Sequence, residues 1–232
     1  MKDLPEMKEI EVAAPPRVLN VQSGSLDASA IEEAVKVLMQ GGIIAYPTET
    51  VYGLGGDATN ERVVERIREL KGREDRKPFL VLVGREEELR PYIAAVSQKA
   101  RRLMSRFWPG PLTLVFRASS LLPESLTGKN NKVGVRVSSD SFCQRLLCAF
   151  TRPLISTSAN PAGGRPAHSV SEIRSLFSKG VDLILDGGER ECGIPSTVVD
   201  VSLDPPVLLR RGAVAKEDIE SVIGKMNEHT PS

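Results

Sequence analysis

Residues 47–56, PTETVYGLGG, are the first of several polar segments whose side chains could bind a ligand. Two threonine hydroxyls and a carboxylate follow the apolar run from Ile43 to Tyr46, and a group of glycines comes after them. Glycines let a ligand approach the backbone, and polar loops that follow buried strands often carry function. A turn whose hydroxyls cap the next helix would explain the same residues equally well.

Residues 71–77, KGREDRK, place four cations between a helix end and a buried strand. The helix dipole favours cations at a C-terminus, and a run of charges usually faces solvent. However, a glycine and a proline enclose this run, and such a clamp could hold Lys71, Arg73 and Lys77 in place for phosphate recognition. Both interpretations stay open, and under both of them the cations of residues 71–77 are predicted to face solvent.

Residues 155–166, ISTSANPAGGRP, form the third polar segment. An apolar strand runs into hydroxyls, an amide, two glycines and an arginine, which offer many donors to an anion or a nucleotide sugar. Two shorter pieces, residues 193–200 and 209–212, read alone as a loop leading into a strand and a strand ending in a turn. The sequence has neither GxxxxGK[ST] nor a GxGxxG after a strand, which disfavours a P-loop NTPase and a Rossmann dehydrogenase.

The elements that would position these segments alternate between strand-like and helical patterns, which predicts helices packed on a sheet. The predicted strands are residues 18–21, 43–46, 79–83, 112–116, 133–137, 154–156, 183–185, 197–201 and 207–209. The predicted helices run from Asp27 to Gly41, over 60–70, around 100–107, over 142–150, from Ser169, and after Lys216. Several late connections are too short for a helix, so some strands must be antiparallel and the sheet mixed.

Composition limits the class of protein. The chain has 232 residues, 41% of them hydrophobic, which suits one domain; we expect a mobile tail over residues 1–16 and a single domain over 17–232. A formal net charge of +1 gives no general attraction to polyanions or membranes. Three cysteines without CxxC spacing and a charged N-terminus predict a reducing, cytoplasmic location, and two histidines make a zinc site improbable.

Five segments in this order resemble the YrdC family, the threonylcarbamoyl-AMP synthases, over residues 18–212. The resemblance is carried by PTETVYGLG at 47–55, KGR and KPF within 71–79, STSAN at 156–160, PSTVVD at 195–200 and LRRG at 209–212. It implies an α/β (α+β) fold, with a twisted open mixed parallel/antiparallel sheet flanked by helices around a concave cleft. The chain ends 20 residues after Gly212, which resembles the short, single-domain bacterial form.

The resemblance also implies an activity and its residues. ATP, L-threonine and bicarbonate would be condensed into threonylcarbamoyl-adenylate and pyrophosphate, for threonylcarbamoyladenosine in tRNA. The expected catalytic residues are Lys71 and Arg73. The expected nucleotide-binding residues are Arg73, Lys77, Lys132, Ser158, Asn160 and Arg210. The expected threonine-binding residues are Thr48, Thr50, Arg136, Ser156 and Ser196. The sequence departs from the family at two positions. Leu82 stands where some longer members have histidine, and Lys132 stands where many members have threonine. Glu49 is a candidate general base by position alone.

The implied cofactors are ATP, as a substrate, and Mg²⁺ bridging its phosphates, with no metal held by protein side chains. Transfer onto tRNA would need downstream threonylcarbamoyl-transferase proteins, and contact of tRNA or RNA with the cleft is left open. Two other interpretations remain. One is an RNA-binding or ribosome-associated protein without catalysis, which the near-neutral charge and three tyrosines disfavour. The other is a carbamoyl-adenylate-forming module like that of hydrogenase maturation proteins, whose zinc-finger and acylphosphatase parts do not occur in this sequence.

Overall fold

A computed structural model describes residues 15–21, 28–72, 78–190 and 193–229. Its strands are β1 (Arg17–Asn20), β2 (Ile44–Pro47), β3 (Tyr52–Gly55), β4 (Leu80–Leu82), β5 (Leu112–Arg117), β6 (Lys132–Arg136), β7 (Leu154–Ile155), β8 (Thr157–Ser158), β9 (Leu183–Asp186), β10 (Thr197–Asp200), β11 (Val207–Arg210) and β12 (Asn227–Glu228). Its α-helices are α1 (Ala28–Met39), α2 (Glu61–Lys71), α3 (Glu86–Leu89), α4 (Gln98–Phe107), α5 (Glu124–Thr127), α6 (Ser141–Phe150), α7 (Val170–Leu176) and α8 (Lys216–Ile223), with a 3₁₀ turn at Arg90–Tyr92.

The strands form two mixed sheets. The five-stranded sheet has the order β1-β9-β2-β3-β8, and the seven-stranded sheet has the order β12-β11-β10-β5-β6-β4-β7. Both contain parallel and antiparallel pairs, such as β1 with β9 and β2 with β3 in the first, and β10 with β5 and β5 with β6 in the second. The predicted α/β class with mixed strands is therefore confirmed, although the strands divide between two sheets. Ser156 is the crossing point, because β7 and β8 lie on either side of it.

Helix α2 shows how the local sequence produces the predicted elements. Its apolar stripe, which includes Val63, Val64 and Ile67, is buried in the core. The Asn60 side chain accepts a hydrogen bond of 3.1 Å from the Arg62 backbone N–H, so it caps the N-terminus of the helix predicted over residues 60–70. Gly72, at φ +58°, ends the helix in a left-handed conformation that favours glycine.

Strand β5 separates the core from the face that carries the candidate site. Successive side chains of a strand point to opposite faces. Leu112, Leu114 and Phe116 belong to the buried apolar core, whereas Thr113 and Val115 line the cleft described below. Strand β5 lies between β10 and β6, so polar residues of three adjacent strands meet on one face.

Strand β3 is the main element that the sequence pattern did not predict; β8, β12, α3, α5 and the 3₁₀ turn were also missed. Glycine lowers strand propensity, so YGLG reads as a loop. In the fold, a side chain on Gly55 would put its Cβ 2.8 Å from the Tyr46 ring, so the paired strands leave no room for one. Most of the predicted N-terminal tail and the Asp27 cap lie outside the described residues. None of the described helices is long and apolar enough to cross a membrane.

Candidate functional site

A cleft of about 1140 Å³ is lined by residues of both sheets, which is enough volume for a nucleotide together with a second small substrate. Eight of the predicted site residues line it: Thr48, Thr50, Lys132, Arg136, Ser156, Ser158, Ser196 and Arg210. Lys71 and Asn160 lie behind one wall and not on the cleft surface, and Arg73 and Lys77 lie outside the described residues. The fold therefore brings together segments that are up to about 160 residues apart in sequence (Thr48 to Arg210).

Arg136, Ser196 and Arg210 form a corner of the seven-stranded wall in which hydrogen-bond donors predominate. The Arg210 guanidinium donates to the Ser196 carbonyl oxygen through Nε (3.1 Å) and Nη2 (2.8 Å), and Nη2 lies 3.1 Å from the Ser196 hydroxyl. The Nε of Arg136 is buried and has no hydrogen-bond partner among the described residues. Partial burial and the nearby charge of Arg136 lower the pKa of Arg210. Two cations held this close favour an anion between them.

Glu49 fixes one side of the Arg136 guanidinium. Its Oε2 accepts a contact of 3.3 Å from Arg136 Nη2. Its Oε1 accepts hydrogen bonds from the Ser138 hydroxyl and from the backbone N–H groups of Ser139 (2.9 Å) and Asp140 (3.2 Å). Burial alone would raise the pKa of Glu49, but Arg136 and these donors outweigh burial and hold the pKa below its ordinary value. A carboxylate with a lowered pKa is a weak base, which argues against the general-base role suggested by its position.

Lys71 corrects the expectation that the basic segment faces solvent throughout. The Lys71 residue is only 3% exposed. Its Nζ donates to the carbonyl oxygens of Ser158 (2.6 Å) and Asn160 (2.8 Å), and its own carbonyl oxygen accepts from Ala162 N–H (2.7 Å). The end of α2 is thus packed beneath residues 158–162, so the ammonium group holds this segment of backbone in place behind the cleft.

Asn160 also serves the backbone, whereas Ser158 reaches the cleft. The Asn160 Nδ2 donates to the carbonyl oxygens of Pro161 (2.7 Å) and Gly164 (2.8 Å), and its Oδ1 accepts from the Ser158 hydroxyl. The amide is therefore fully occupied in folding the loop that follows β8. Ser158 is half-buried and lines the cleft. The predicted Ser158–Asn160 pair thus contains one residue on the cleft surface and one that shapes it.

Lys132 occupies the opposite end of the seven-stranded wall from Arg136, at the start of the same strand. Its Nζ forms an ion pair of 2.6 Å with Asp200 Oδ2. The other oxygen of Asp200 accepts from Ser202 N–H at 2.9 Å. The apolar side chains of Val115 and Val198 line the cleft between its two charged ends. The positive charge of Lys132 is therefore neutralised, whereas Arg210 has no carboxylate partner in the part of the chain that the structure describes.

The threonine and serine hydroxyls on the five-stranded side differ in how far the protein already uses them. Thr48 Oγ1 donates to the Val51 carbonyl oxygen at 2.6 Å and so shapes its own turn. The Ser156 hydroxyl accepts from Tyr46 Oη at 2.8 Å. Within the described residues, the Thr50 hydroxyl has only a long contact, 3.4 Å, with the Thr48 hydroxyl. Thr50 is thus the hydroxyl with the most hydrogen-bonding capacity left for a ligand.

Thr113 and Asp200 line the cleft and Gly212 packs against the Ser196 segment, and none of the three was predicted as a site residue. The Thr113 hydroxyl lies 2.8 Å from the Ser196 hydroxyl. A Cβ on Gly212 would lie 2.3 Å from the Pro195 carbonyl oxygen, so the turn after β11 packs directly on the backbone of the Ser196 segment. A single hydroxyl in the apolar run LTLVF was the available signal for Thr113, since a polar residue on a buried strand needs a partner.

The protein combines a mixed α/β architecture with a cleft that is lined in part by Lys132, Arg136 and Arg210. A profile of the family Sua5_yciO_yrdC, described as "Telomere recombination", matches residues 36–212. A threonylcarbamoyl-AMP synthase of Pyrococcus abyssi is 37% identical over 212 residues, which are 91% of this chain and 62% of that protein. One of Halorhodospira halophila is 38% identical over 157 residues, 68% of this chain and 82% of that protein. The crystal structure of P. abyssi Sua5 complexed with L-threonine has a TM-score of 0.86 at 37% identity, covering 91% of this chain and 62% of that one.

The chain belongs to the Sua5/YciO/YrdC family, and the predicted family is confirmed. It spans less than two thirds of the length of its Pyrococcus relative.

Proposed function

We propose that this chain condenses ATP, L-threonine and bicarbonate into threonylcarbamoyl-adenylate and pyrophosphate, for the threonylcarbamoyladenosine modification of tRNA. Support comes from relatives named threonylcarbamoyl-AMP synthase and from the Pyrococcus structure with L-threonine. The observation that carries the proposal is the corner of Arg136, Ser196 and Arg210. Arg210 has no carboxylate partner among the described residues, and such a corner suits an amino-acid carboxylate beside a nucleotide phosphate.

In this proposal both walls contribute residues to each substrate. Arg136 pairs with the carboxylate of L-threonine, with Ser196 and Thr50 supplying hydroxyls at the same ligand and Thr48 and Ser156 shaping its surroundings. Arg210 and Ser158 contact the nucleotide, to which the resemblance also assigns Arg73, Lys77 and Lys132. Lys71 and Asn160 act by holding the backbone of residues 158–164, and not by direct contact with phosphate.

The reaction requires alignment and charge neutralisation, not a protein nucleophile. The threonine amine adds to bicarbonate with loss of water, or to CO₂ with loss of one proton, to give a carbamate. A carbamate oxygen then forms a bond to the α-phosphorus of ATP while the bond to pyrophosphate breaks. Because the Glu49 carboxylate is a weak base, we propose that the amine enters the reaction already unprotonated.

The cleft offers little to a metal beyond what ATP would bring. The described residues contain no group of three or more His, Cys, Asp and Glu side chains that could hold an ion. The cleft carboxylates Glu49 and Asp200 are each paired with a cation. Mg²⁺ commonly binds through substrate phosphates with few protein ligands, so it is proposed to enter with ATP and to neutralise phosphate charge.

The wider setting of the activity is part of the same proposal. Threonylcarbamoyl-adenylate is an activated intermediate, so transfer to tRNA is assigned to downstream threonylcarbamoyl-transferase proteins. A cytoplasmic location is proposed because the three cysteines in the sequence have no CxxC spacing.

Pyrophosphate release by the purified protein tests the proposal. With ATP and Mg²⁺, release is expected only when L-threonine and bicarbonate are both present, because the nucleophile is assembled from both. Threonine-independent release with carbamoyl phosphate would favour the carbamoyl-adenylate alternative. No release together with salt-dependent RNA binding would favour the RNA-binding alternative.

Neighbouring arginines provide a matched test of the corner. Arg210 lines the cleft, whereas Arg211 pairs with Glu228 at 2.8 Å and does not. Arg210→Met should lower kcat/KM about 10- to 100-fold, the loss expected for a charge-assisted hydrogen bond, and Arg211→Met should leave it within about twofold. Equal losses from both variants would contradict the assignment of the corner.

A further inference from the structure

The Ser196 hydroxyl has hydrogen-bond contacts with two protein groups, which leaves it one further hydrogen-bonding direction. Arg210 Nη2 lies 3.1 Å from Ser196 Oγ, and Thr113 Oγ1 lies 2.8 Å from it. Ser196 is half-buried and lines the cleft. Since a hydroxyl has one proton and two lone pairs, the direction that remains is set by which of Ser196 and Thr113 donates to the other.

The surroundings of Thr113 decide that direction. Thr113 is 2% exposed, and among the described residues Ser196 is the only hydrogen-bond partner of its side chain. If Ser196 donated to Thr113, the Thr113 proton would be buried without an acceptor, which is costly. If Thr113 donates, both hydroxyls are satisfied, and Ser196 accepts from Thr113 and from Arg210. The proton of Ser196 is then free to point into the cleft.

We infer that Thr113 is a positioning residue that keeps the Ser196 hydroxyl as a hydrogen-bond donor toward the substrate. With the guanidinium groups of Arg136 and Arg210, the side chains of the corner then offer donors, and the Ser196 carbonyl oxygen already accepts two hydrogen bonds from Arg210. A substrate atom bound there must accept hydrogen bonds, so this corner takes a carboxylate oxygen and rejects an ammonium or amide N–H. The inference rests on the proposed function, because it takes that carboxylate to be the one on L-threonine.

Strand order explains why Thr113 can act on this corner. Strand β5 lies between β10, which follows Ser196, and β6, which ends with Arg136. Leu112 pairs with Thr197 and Leu114 pairs with Val135. Thr113 therefore stands between the hydroxyl and the guanidinium, on the face that lines the cleft.

Thr113→Val removes the hydroxyl and keeps the branched shape. We expect it to raise the dissociation constant for L-threonine, measured by calorimetry, and the KM for L-threonine about 3- to 10-fold, the loss expected for one hydrogen bond. The KM for ATP should stay within about twofold, since Arg210 and Ser158 remain. Thr113→Ser keeps the hydroxyl and should restore wild-type values. Thr127→Val is the control, because Thr127 is also buried but, among the described residues, its hydroxyl bonds only the Pro123 carbonyl oxygen, away from the cleft.

A double-mutant cycle with Ser196→Ala tests whether Thr113 acts through Ser196. In the Ser196→Ala background, Thr113→Val should change threonine affinity by less than about twofold. Effects that multiply, an unchanged affinity in Thr113→Val, or a loss in Thr113→Ser as large as in Thr113→Val would each overturn the inference. If Thr113→Val does not fold, Thr113→Cys, which has a much weaker donor of similar size, takes its place in the cycle.

The same measurements separate this inference from the proposed function. If the wild-type protein neither binds L-threonine nor releases pyrophosphate with it, the proposed function fails. If the wild-type protein does both and the Thr113 variants match it, only the role of Thr113 fails.

Discussion

The two walls of the cleft use their polar residues in opposite ways. On the β8 wall, formed by Lys71, Ser158 and Asn160, the ammonium and the amide are hydrogen-bonded to backbone carbonyl oxygens. On the β10 wall, formed by Arg136, Ser196 and Arg210, a buried guanidinium N–H has no protein partner and a second guanidinium has no carboxylate among the described residues. The difference teaches that residues of equal prominence in the sequence motifs divide between those that hold the backbone of the cleft and those whose polar groups are left for the ligand that we propose.

Lys71→Met should produce the largest stability effect on either wall. It removes the bonds to two carbonyl oxygens behind the cleft, so the free energy of unfolding should fall by about 2–5 kcal/mol. Urea denaturation followed by circular dichroism measures the change. Arg210→Met is the matched removal of a cation from the β10 wall, and it should stay within about 1 kcal/mol of wild type. If the two variants were equally stable, Lys71 and Arg210 would not differ in their contribution to folding, which would contradict the comparison between the two walls.

Glu49→Gln should have an intermediate effect that depends on pH. Glu49 connects the β2–β3 turn to the β10 wall through Arg136. Its pKa in the folded protein lies below the ordinary 4.5, so its contribution to stability is fully present above about pH 4.5 and is lost as the pH falls through the lowered value. The difference in unfolding free energy between wild type and Glu49→Gln should be about 1–2 kcal/mol at neutral pH.

Urea denaturation between about pH 3 and about pH 7 measures this difference directly. The difference should be constant above the ordinary pKa and should shrink in acid. A difference that persists unchanged in acid would mean that the Glu49 charge is not what stabilises the contact. The KM for L-threonine should rise as well, because the substituted amide no longer holds Arg136 by charge.

Ser158→Ala should have the smallest effect. Ser158 is half-buried, and its side chain gives one hydrogen bond to Asn160. Its loss should change the free energy of unfolding by less than about 1 kcal/mol and should raise the KM for ATP about 3- to 10-fold. Titrations of the variant with ATP and with L-threonine measure the two affinities separately. A weaker affinity for L-threonine and an unchanged one for ATP would show that the β8 wall faces the amino acid.

Periodicity and caps were sufficient to predict most helices and strands. Helix α2 began after Asn60 and buried Val63, Val64 and Ile67 as its pattern indicated. The prediction failed where a strand forms because it pairs with strands that are distant in the sequence. Strand β3 contains two glycines and forms because it pairs with β2 and β8. The division into two sheets likewise depends on the crossing at Ser156, which no local pattern indicates.

The sequence predicted which residues lie at the cleft better than it predicted what each of their side chains contacts. Eight predicted residues line the cleft because the motifs lie at strand ends and turns. The direction of Lys71 could not be predicted, since a lysine at a helix end faces solvent unless a distant segment covers it, as residues 158–162 do here. Thr113 was not predicted because its hydrogen-bond partner, Ser196, is 83 residues away in the sequence.

The geometry of the β10 wall also depends on Gly212, a residue without a side chain. Any Cβ at this position would lie 2.3 Å from the Pro195 carbonyl oxygen and 2.5 Å from the Ser196 carbonyl carbon. The smallest possible substitution would therefore displace the Ser196 backbone, and with it the carbonyl oxygen that receives two hydrogen bonds from Arg210. A variant library that is meant to alter the amino-acid specificity proposed for this cleft must therefore keep glycine at position 212 while it varies the rest of the LRRG turn.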